Sequence, residues 1–142
     1  MADGEVRMRL IRADDAPATN PLNEPFAFGL QDVKQQVVPG RRDAHGRFVF
    51  DFTLKVRAGK DPARPAFSGP FAAGPADDRF VYLAWRSVPR GVWINRIKAR
   101  LSSIDWALVR AAQESDRPIV ADVTGRRPHD SARLVDWRLD EP

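Results

Sequence analysis

Between residues 47 and 57, Phe48, Phe50, Phe52, Leu54 and Val56 fall on one parity, and Val49, Asp51, Thr53, Lys55 and Arg57 on the other. Apolar residues at period two, with mostly polar residues between them, predict a strand that buries one face and leaves the other to water. A helix would scatter these phenylalanines around its circumference and bury no two of them together. Residues 6–11 alternate in the same way, with Glu5, Arg7 and Arg9 between apolar neighbours. Residues 26–33 resume the pattern, placing Phe26, Phe28 and Leu30 on one side. Residues 13–25 carry Pro17, Pro21 and Pro25 without periodicity and read as a polar connection. Pro39-Gly40 opens a turn-rich basic loop to Gly46, and residues 58–66 form a second loop.

A different pattern occupies residues 67–85. The Gly69-Pro-Phe-Ala-Ala-Gly-Pro75 loop runs into a segment apolar or aromatic on both faces, as expected of a strand inside a layered sheet. Residues 79–88 and 92–101 then read as two strands joined by Pro89-Arg90-Gly91, the chemistry of a three-residue hairpin loop with a bulge. Pairing Val88 with Val92 sets Leu83 opposite Ile97 and Val81 opposite Ala99, so Val81, Leu83, Trp85, Trp93, Ile97, Ala99 and Leu101 form a core face. The other face carries Phe80, Tyr82, Ala84 and Arg86 against Ile94, Arg96, Lys98 and Arg100, with Tyr82 facing Lys98 and Phe80 facing Arg100. Each cation can lie against a ring, at about 0.5–1 kcal/mol when exposed.

Residues 102–116 read as one short helix, its body at about residues 103–115. Ser102 and Asp105 form its capping box, Ile104, Leu108, Ala111 and Ala112 its apolar face, and Pro118 its stop. Residues 119–123 and 133–139 close the chain as two strands around the loop 125–131. Short strands with regular turn signals predict a mainly β fold: an antiparallel β-sandwich or flattened barrel of about seven or eight strands, capped by the helix.

Composition narrows the chemistry. At 142 residues, 43% hydrophobic and 30% charged, the chain is expected to form a single globular domain over residues 1–142. With no cysteine, thiol catalysis, disulfides and zinc–thiolate sites are excluded. The charged N-terminus lacks the apolar run of a signal peptide, and no window approaches the roughly 20 apolar residues of a membrane helix, so a cytoplasmic setting is expected. The pI near 10.1 accompanies a net charge of only +4, with 19 Arg against 4 Lys. A phosphate-tracking surface needs clustered charge, which argues against nucleic acid as partner.

Gly-Pro-Phe, the second Gly-Pro, Asp78-Arg-Phe-Val-Tyr-Leu-Ala-Trp85 and the basic strand Asn95-Arg-Ile-Lys-Ala-Arg-Leu101 together resemble a family of small bacterial proteins, domain of unknown function 5990. Phe26-Ala-Phe-Gly-Leu-Gln31 and Val135-Asp-Trp137 are similar to its early strand and its ending. Residues 125–132 depart from that ending, and Arg86-Ser-Val-Pro-Arg stands where the family has a Gly-containing turn. The resemblance implies a soluble bacterial protein and carries no catalytic residue across.

Candidate chemistry is sparse. The Gly/Pro loop loses N–H donors at Pro70 and Pro75 and leads into a strand, unlike a phosphate cradle, which opens a helix. Asp77-Asp78 and Asp14-Asp15 are adjacent pairs, which point to opposite faces of a strand and suit turns better than paired acid–base work. His45 and His129 both lie in polar loops, and no spacing brings them together. No serine has a nucleophile-elbow context, and Trp85, Trp93, Trp106 and Trp137 are expected in the core. No catalytic residue, metal ligand or cofactor is assigned. The candidate binding face is Phe80, Tyr82, Arg96, Lys98 and Arg100, expected as an exposed and mainly unpaired cationic row that receives an acidic small ligand or protein partner. The alternatives are a homodimer built on this face without any ligand, and a small hydrolase or isomerase with a loop-borne site near Asp77, His45 and His129.

Overall fold

The phenylalanine row folds as strand β5 (Phe48–Ala58) in the computed structural model, which describes residues 3–13, 26–87 and 95–141. It pairs antiparallel with β1 (Gly4–Arg12), setting Leu10 against Phe50, Met8 against Phe52 and Val6 against Leu54. All six side chains are buried, Phe50 to 3% exposure, while Asp51, Thr53, Lys55 and Arg57 face water as the alternation requires. Val49, on the solvent parity, is buried as well.

Two sheets face each other, and no barrel closes. The larger adds β4 (Arg41–Arg42) and β6 (Pro65–Ser68), which both pair with β5. On its other side β1 is followed by β9 (Ile119–Asp122) and β10 (Arg138–Leu139). The smaller has the order β3 (Val37–Pro39), β2 (Phe26–Gln31), β7 (Phe80–Ser87), β8 (Asn95–Arg100). Phe28, Leu30, Val81, Leu83, Ile97 and Ala99 of the smaller sheet pack on the even-numbered residues of β1 and β5 in one core. No helix among the described residues is long and apolar enough to cross a membrane.

The mainly β sandwich is as the sequence predicts, with three differences. Ten strands form among the described residues, because β3, β4 and β6 are edge pieces of two to four residues, too short to show a period. β9 joins β1 in parallel, so the sheet is not wholly antiparallel. The chain between β1 and β9 passes through both sheets, and the segment holding α1 (Trp106–Ser115) brings it back from β8 to the free side of β1. Finally, β10 is two residues long and residues 128–132 form a 3₁₀ helix, where a longer strand and a loop were expected. Val135 and Trp137 are buried and Leu134 and Asp136 exposed, so this segment alternates without a strand beside it for most of its length.

The helix starts later than the capping box implies. Leu108 N–H donates to the Asp105 carboxylate at 2.9 Å, making Asp105 the N-cap. Ser102 caps nothing: residues 101–104 turn, with Ile104 N–H on the Leu101 carbonyl at 3.1 Å, and Ser103 Oγ donates to the Val135 carbonyl at 2.8 Å. The buried helical positions are therefore Trp106, Val109 and Ala112. Asp116, left-handed at φ 54°, ends the helix just before Pro118.

Charge is organised on the outer face of the larger sheet. Arg9 bonds Asp51 at 2.7 Å and Asp140 at 3.2 Å, and Arg41 bonds Asp51 at 3.1 Å. Partial burial opposes ionisation of Asp51, but hydrogen bonds and charge from Arg9 and Arg41 outweigh it and hold the carboxyl below its ordinary 3.8. A depressed folded pKa stabilises fully above the unfolded value, at about pH 4, and that stability is lost as pH falls through the lower folded value. Asp51→Asn is thus expected to flatten the stability profile below about pH 4 and to leave its slope near neutrality unchanged, as urea midpoints across pH would record.

Candidate functional site

β7 and β8 pair in the expected register, with Leu83 opposite Ile97, Val81 opposite Ala99, Tyr82 opposite Lys98 and Phe80 opposite Arg100. Val81, Leu83, Ile97, Ala99 and Leu101 are buried, as the core reading requires. The Pro89-Arg90-Gly91 turn and Trp93 lie outside the described residues, as does the side chain of Trp85. The five candidate residues therefore do share one sheet face, but that face is not the uniform exposed row expected.

Phe80 and Arg100 belong to the fold. Ala73 bridges Phe80 with two backbone hydrogen bonds, of 2.8 and 3.0 Å, extending the sheet where β2 has ended. Gly74, at φ 88°, crosses the Phe80 ring so closely that a Cβ there would sit 2.4 Å from Cε1. The ring is 7% exposed. This is what the Gly/Pro loop does in the fold: it covers an aromatic residue. Arg100 donates to the Asp78 carboxylate at 2.6 Å and to the Ser131 carbonyl at 3.0 Å, tying β8 to the loop before β7 and to the 3₁₀ helix. Its own carbonyl accepts from Trp137 Nε1 at 2.7 Å. The expectation that Arg100 is unpaired is corrected: Asp78 folds back onto β8 from the loop before β7, a contact that no spacing in the sequence shows.

Tyr82, Arg96 and Lys98 differ. The Lys98 ammonium lies 4.6 Å from the Phe80 ring centroid, and Phe80 and Tyr82 meet edge to face at 4.7 Å. Arg96 is exposed and donates through Nε to Oε1 of Gln31, which lies beside Tyr82 on β2 and is 5% exposed. Neither cation has a carboxylate partner among the described residues. Gln31 went unnoticed in the sequence, where it merely ends an apolar alternation. Only the pairing of β2 with β7 reveals its place.

Of the residues of the enzymatic alternative, His45 and Asp77 are carried by loops of different sheets. His45 is exposed on the turn between β4 and β5, where the Asp43 carboxylate accepts from the His45 and Arg47 N–H groups. Asp77 lies on the loop before β7, in the other sheet, lining with Asp78, Arg64 and Arg79 a cleft of about 50 Å³. Such a cleft has room for a water or two. The side chain of His129 is not among those described. No group of three or more His, Cys, Asp or Glu suited to a metal occurs among the described residues.

No curated protein and no solved structure matches the chain. The block Asp78–Trp85 and the basic strand that pairs with it fall within a match that spans residues 6–138, and by that match the chain belongs to a family of unknown function, DUF5990.

Proposed function

We propose that this protein is a non-enzymatic binding domain whose face formed by Tyr82, Arg96 and Lys98 receives an acidic segment of a partner protein. One observation carries the reading. Two adjacent cations on β8 stand without a counter-ion among the described residues, beside an aromatic ring, while the third, Arg100, is neutralised by Asp78. A cation held against a ring and a neutral amide keeps its charge available to an incoming carboxylate. Arg96 is exposed, which suits an extended acidic surface better than a small molecule, since small ligands bury most of their area in a concave site. Phe80 and Arg100 serve as the support that fixes Lys98 and β8. A cysteine-free chain fits a reducing, cytoplasmic setting for the encounter.

The test is a calorimetric titration with a polyglutamate peptide, for the parent and for Arg96→Gln/Lys98→Gln. The expected result is salt-sensitive binding that weakens about tenfold or more in the double variant, with polylysine giving no heat. Equal binding by the two proteins refutes the reading.

A further inference from the structure

The far edge of β5 is interrupted. β4 pairs with it at Phe48 and Val49, and β6 pairs with it from Lys55 to Ala58, leaving residues 50–54 without a strand beyond them. At the usual rise this is about 17 Å of edge. Asp43 N–H donates to the Arg47 carbonyl, so along that hairpin Arg41 and Val49 are a hydrogen-bonded pair. On β1, Ile11 O accepts from Val123 N–H, so the odd residues of β1 look toward β9 and its even residues toward β5. The odd residues of β5 therefore point their N–H and C=O groups at the far edge. At Asp51 and Thr53 these groups meet no partner among the described residues.

Beside this gap lies a cleft of about 210 Å³ between the sheets, with Leu30, Val38, Phe50 and Phe71 as its apolar walls and Arg41 and Asp51 at its rim. Two glycines flank the gap. Gly40 passes over the Phe50 ring, where a Cβ would approach to 2.5 Å, as the chain leaves β3 for β4. Gly69, at φ 129°, turns the chain out of β6, and Ala72 N–H closes that turn on the Gly69 carbonyl at 3.2 Å.

We infer that this notch is a strand-addition site that takes an extended peptide alternating apolar and acidic residues. Its backbone pairs with Asp51 and Thr53 in line with β4 and β6, completing the sheet edge. One set of its side chains enters the cleft over Phe50 and Phe71, and the other set lies outward. Charge selects the outward set. Asp51 is already bonded by Arg9 and Arg41, whereas Lys55 is exposed and has no ion pair among the described residues, and the Arg41 side chain is 54% exposed. Carboxylates on the peptide are therefore received by the exposed Arg41 and Lys55 side chains, which flank the gap on its outer face. The recess also selects the occupant. β4 and β6 already fill the lateral position of the next strand on either side of the gap, so a short extended segment fits between them. The long edge of a second copy does not.

The site is independent of the Tyr82 face, and its test reads different amides. The probe is a capped peptide of about five residues alternating Glu and Val, matched to the length of the gap and titrated into ¹⁵N-labelled protein. Expected are shifts and slowed hydrogen exchange at the Asp51 and Thr53 amides. Thr53→Pro removes a donor that the fold leaves unused and is tolerated on an edge, so it should weaken binding about tenfold or more, whereas Thr53→Ala should not. Should Thr53→Pro fail to fold, a peptide N-methylated along its pairing edge is expected to bind about tenfold or more weaker to the parent. The inference is overturned if shifts appear at Tyr82 and Lys98 but not at Asp51 and Thr53. It is equally overturned if folded Thr53→Pro binds as the parent does, if N-methylation changes nothing, or if the two amides are protected in a peptide-free dimer.

Discussion

Phe50→Ala is expected to lower stability by about 3–5 kcal/mol, the range for truncating a buried aromatic residue. The ring is 3% exposed, sits opposite Leu10 on β1 and lies under the backbone of Gly40. Little can collapse into the space it leaves, because two strands and a chain crossing hold its walls. A urea titration reads the loss as a lower midpoint at unchanged slope. A loss under about 1 kcal/mol would show that the parity assigned to the core is wrong. Phe50 also walls the cleft beside the open edge of β5, so the same variant should weaken binding of the alternating Glu/Val peptide.

Gly74→Ala has the next largest expected effect, about 2–5 kcal/mol, from two causes that add. At φ 88° a residue with a Cβ is strained by about 1–2 kcal/mol. The new methyl group also falls within 3 Å of two Phe80 ring atoms, and displacing a packed ring costs about 1–3 kcal/mol more. Asp78 O, 3.1 Å from the same position, blocks an escape to the side. The consequence reaches the candidate site, because Lys98 rests on this ring and Tyr82 abuts it. Gly74→Ala should thus lose stability in thermal melts and weaken polyglutamate binding with both cations in place. Parent-like stability would mean that the loop does not close over Phe80.

The architecture was legible in the sequence wherever a side-chain period repeated often enough to outweigh chance. β1, β5 and the β7–β8 pair each show several alternations, and the register between β7 and β8 followed from a single assumed turn. The short edge strands carry no such signal. Arg41-Arg42 and Val37–Pro39 are strands because of what lies beside them, through pairing with β5 and β2. The parallel placement of β9 is likewise a property of the tertiary crossover, and the residues of β9 read the same in either direction. Asp105 replaced Ser102 as the cap because the Leu101–Ile104 turn, with Ser103 held by Val135, occupies the residues the capping box would need. The five residues of the candidate face were found together because one hairpin carries them. Their different duties were not visible, since they depend on Asp78, Ser131, Gln31 and Gly74, none of which lies on the same stretch of β8.

That division of labour is the claim on which the functional account stands: the fold uses Phe80 and Arg100 but not the charges of Arg96 and Lys98. Urea denaturation of Arg96→Gln/Lys98→Gln tests it most directly, since glutamine keeps an amide donor within reach of Gln31 while removing both charges. The account predicts a stability within about 0.5 kcal/mol of the parent, against a loss of about 1–2 kcal/mol for Arg100→Ser, which removes the ion pair with Asp78 and the hydrogen bond to the Ser131 carbonyl. A double variant that unfolds, or that loses as much as Arg100→Ser, would contradict it and return the whole face to structure.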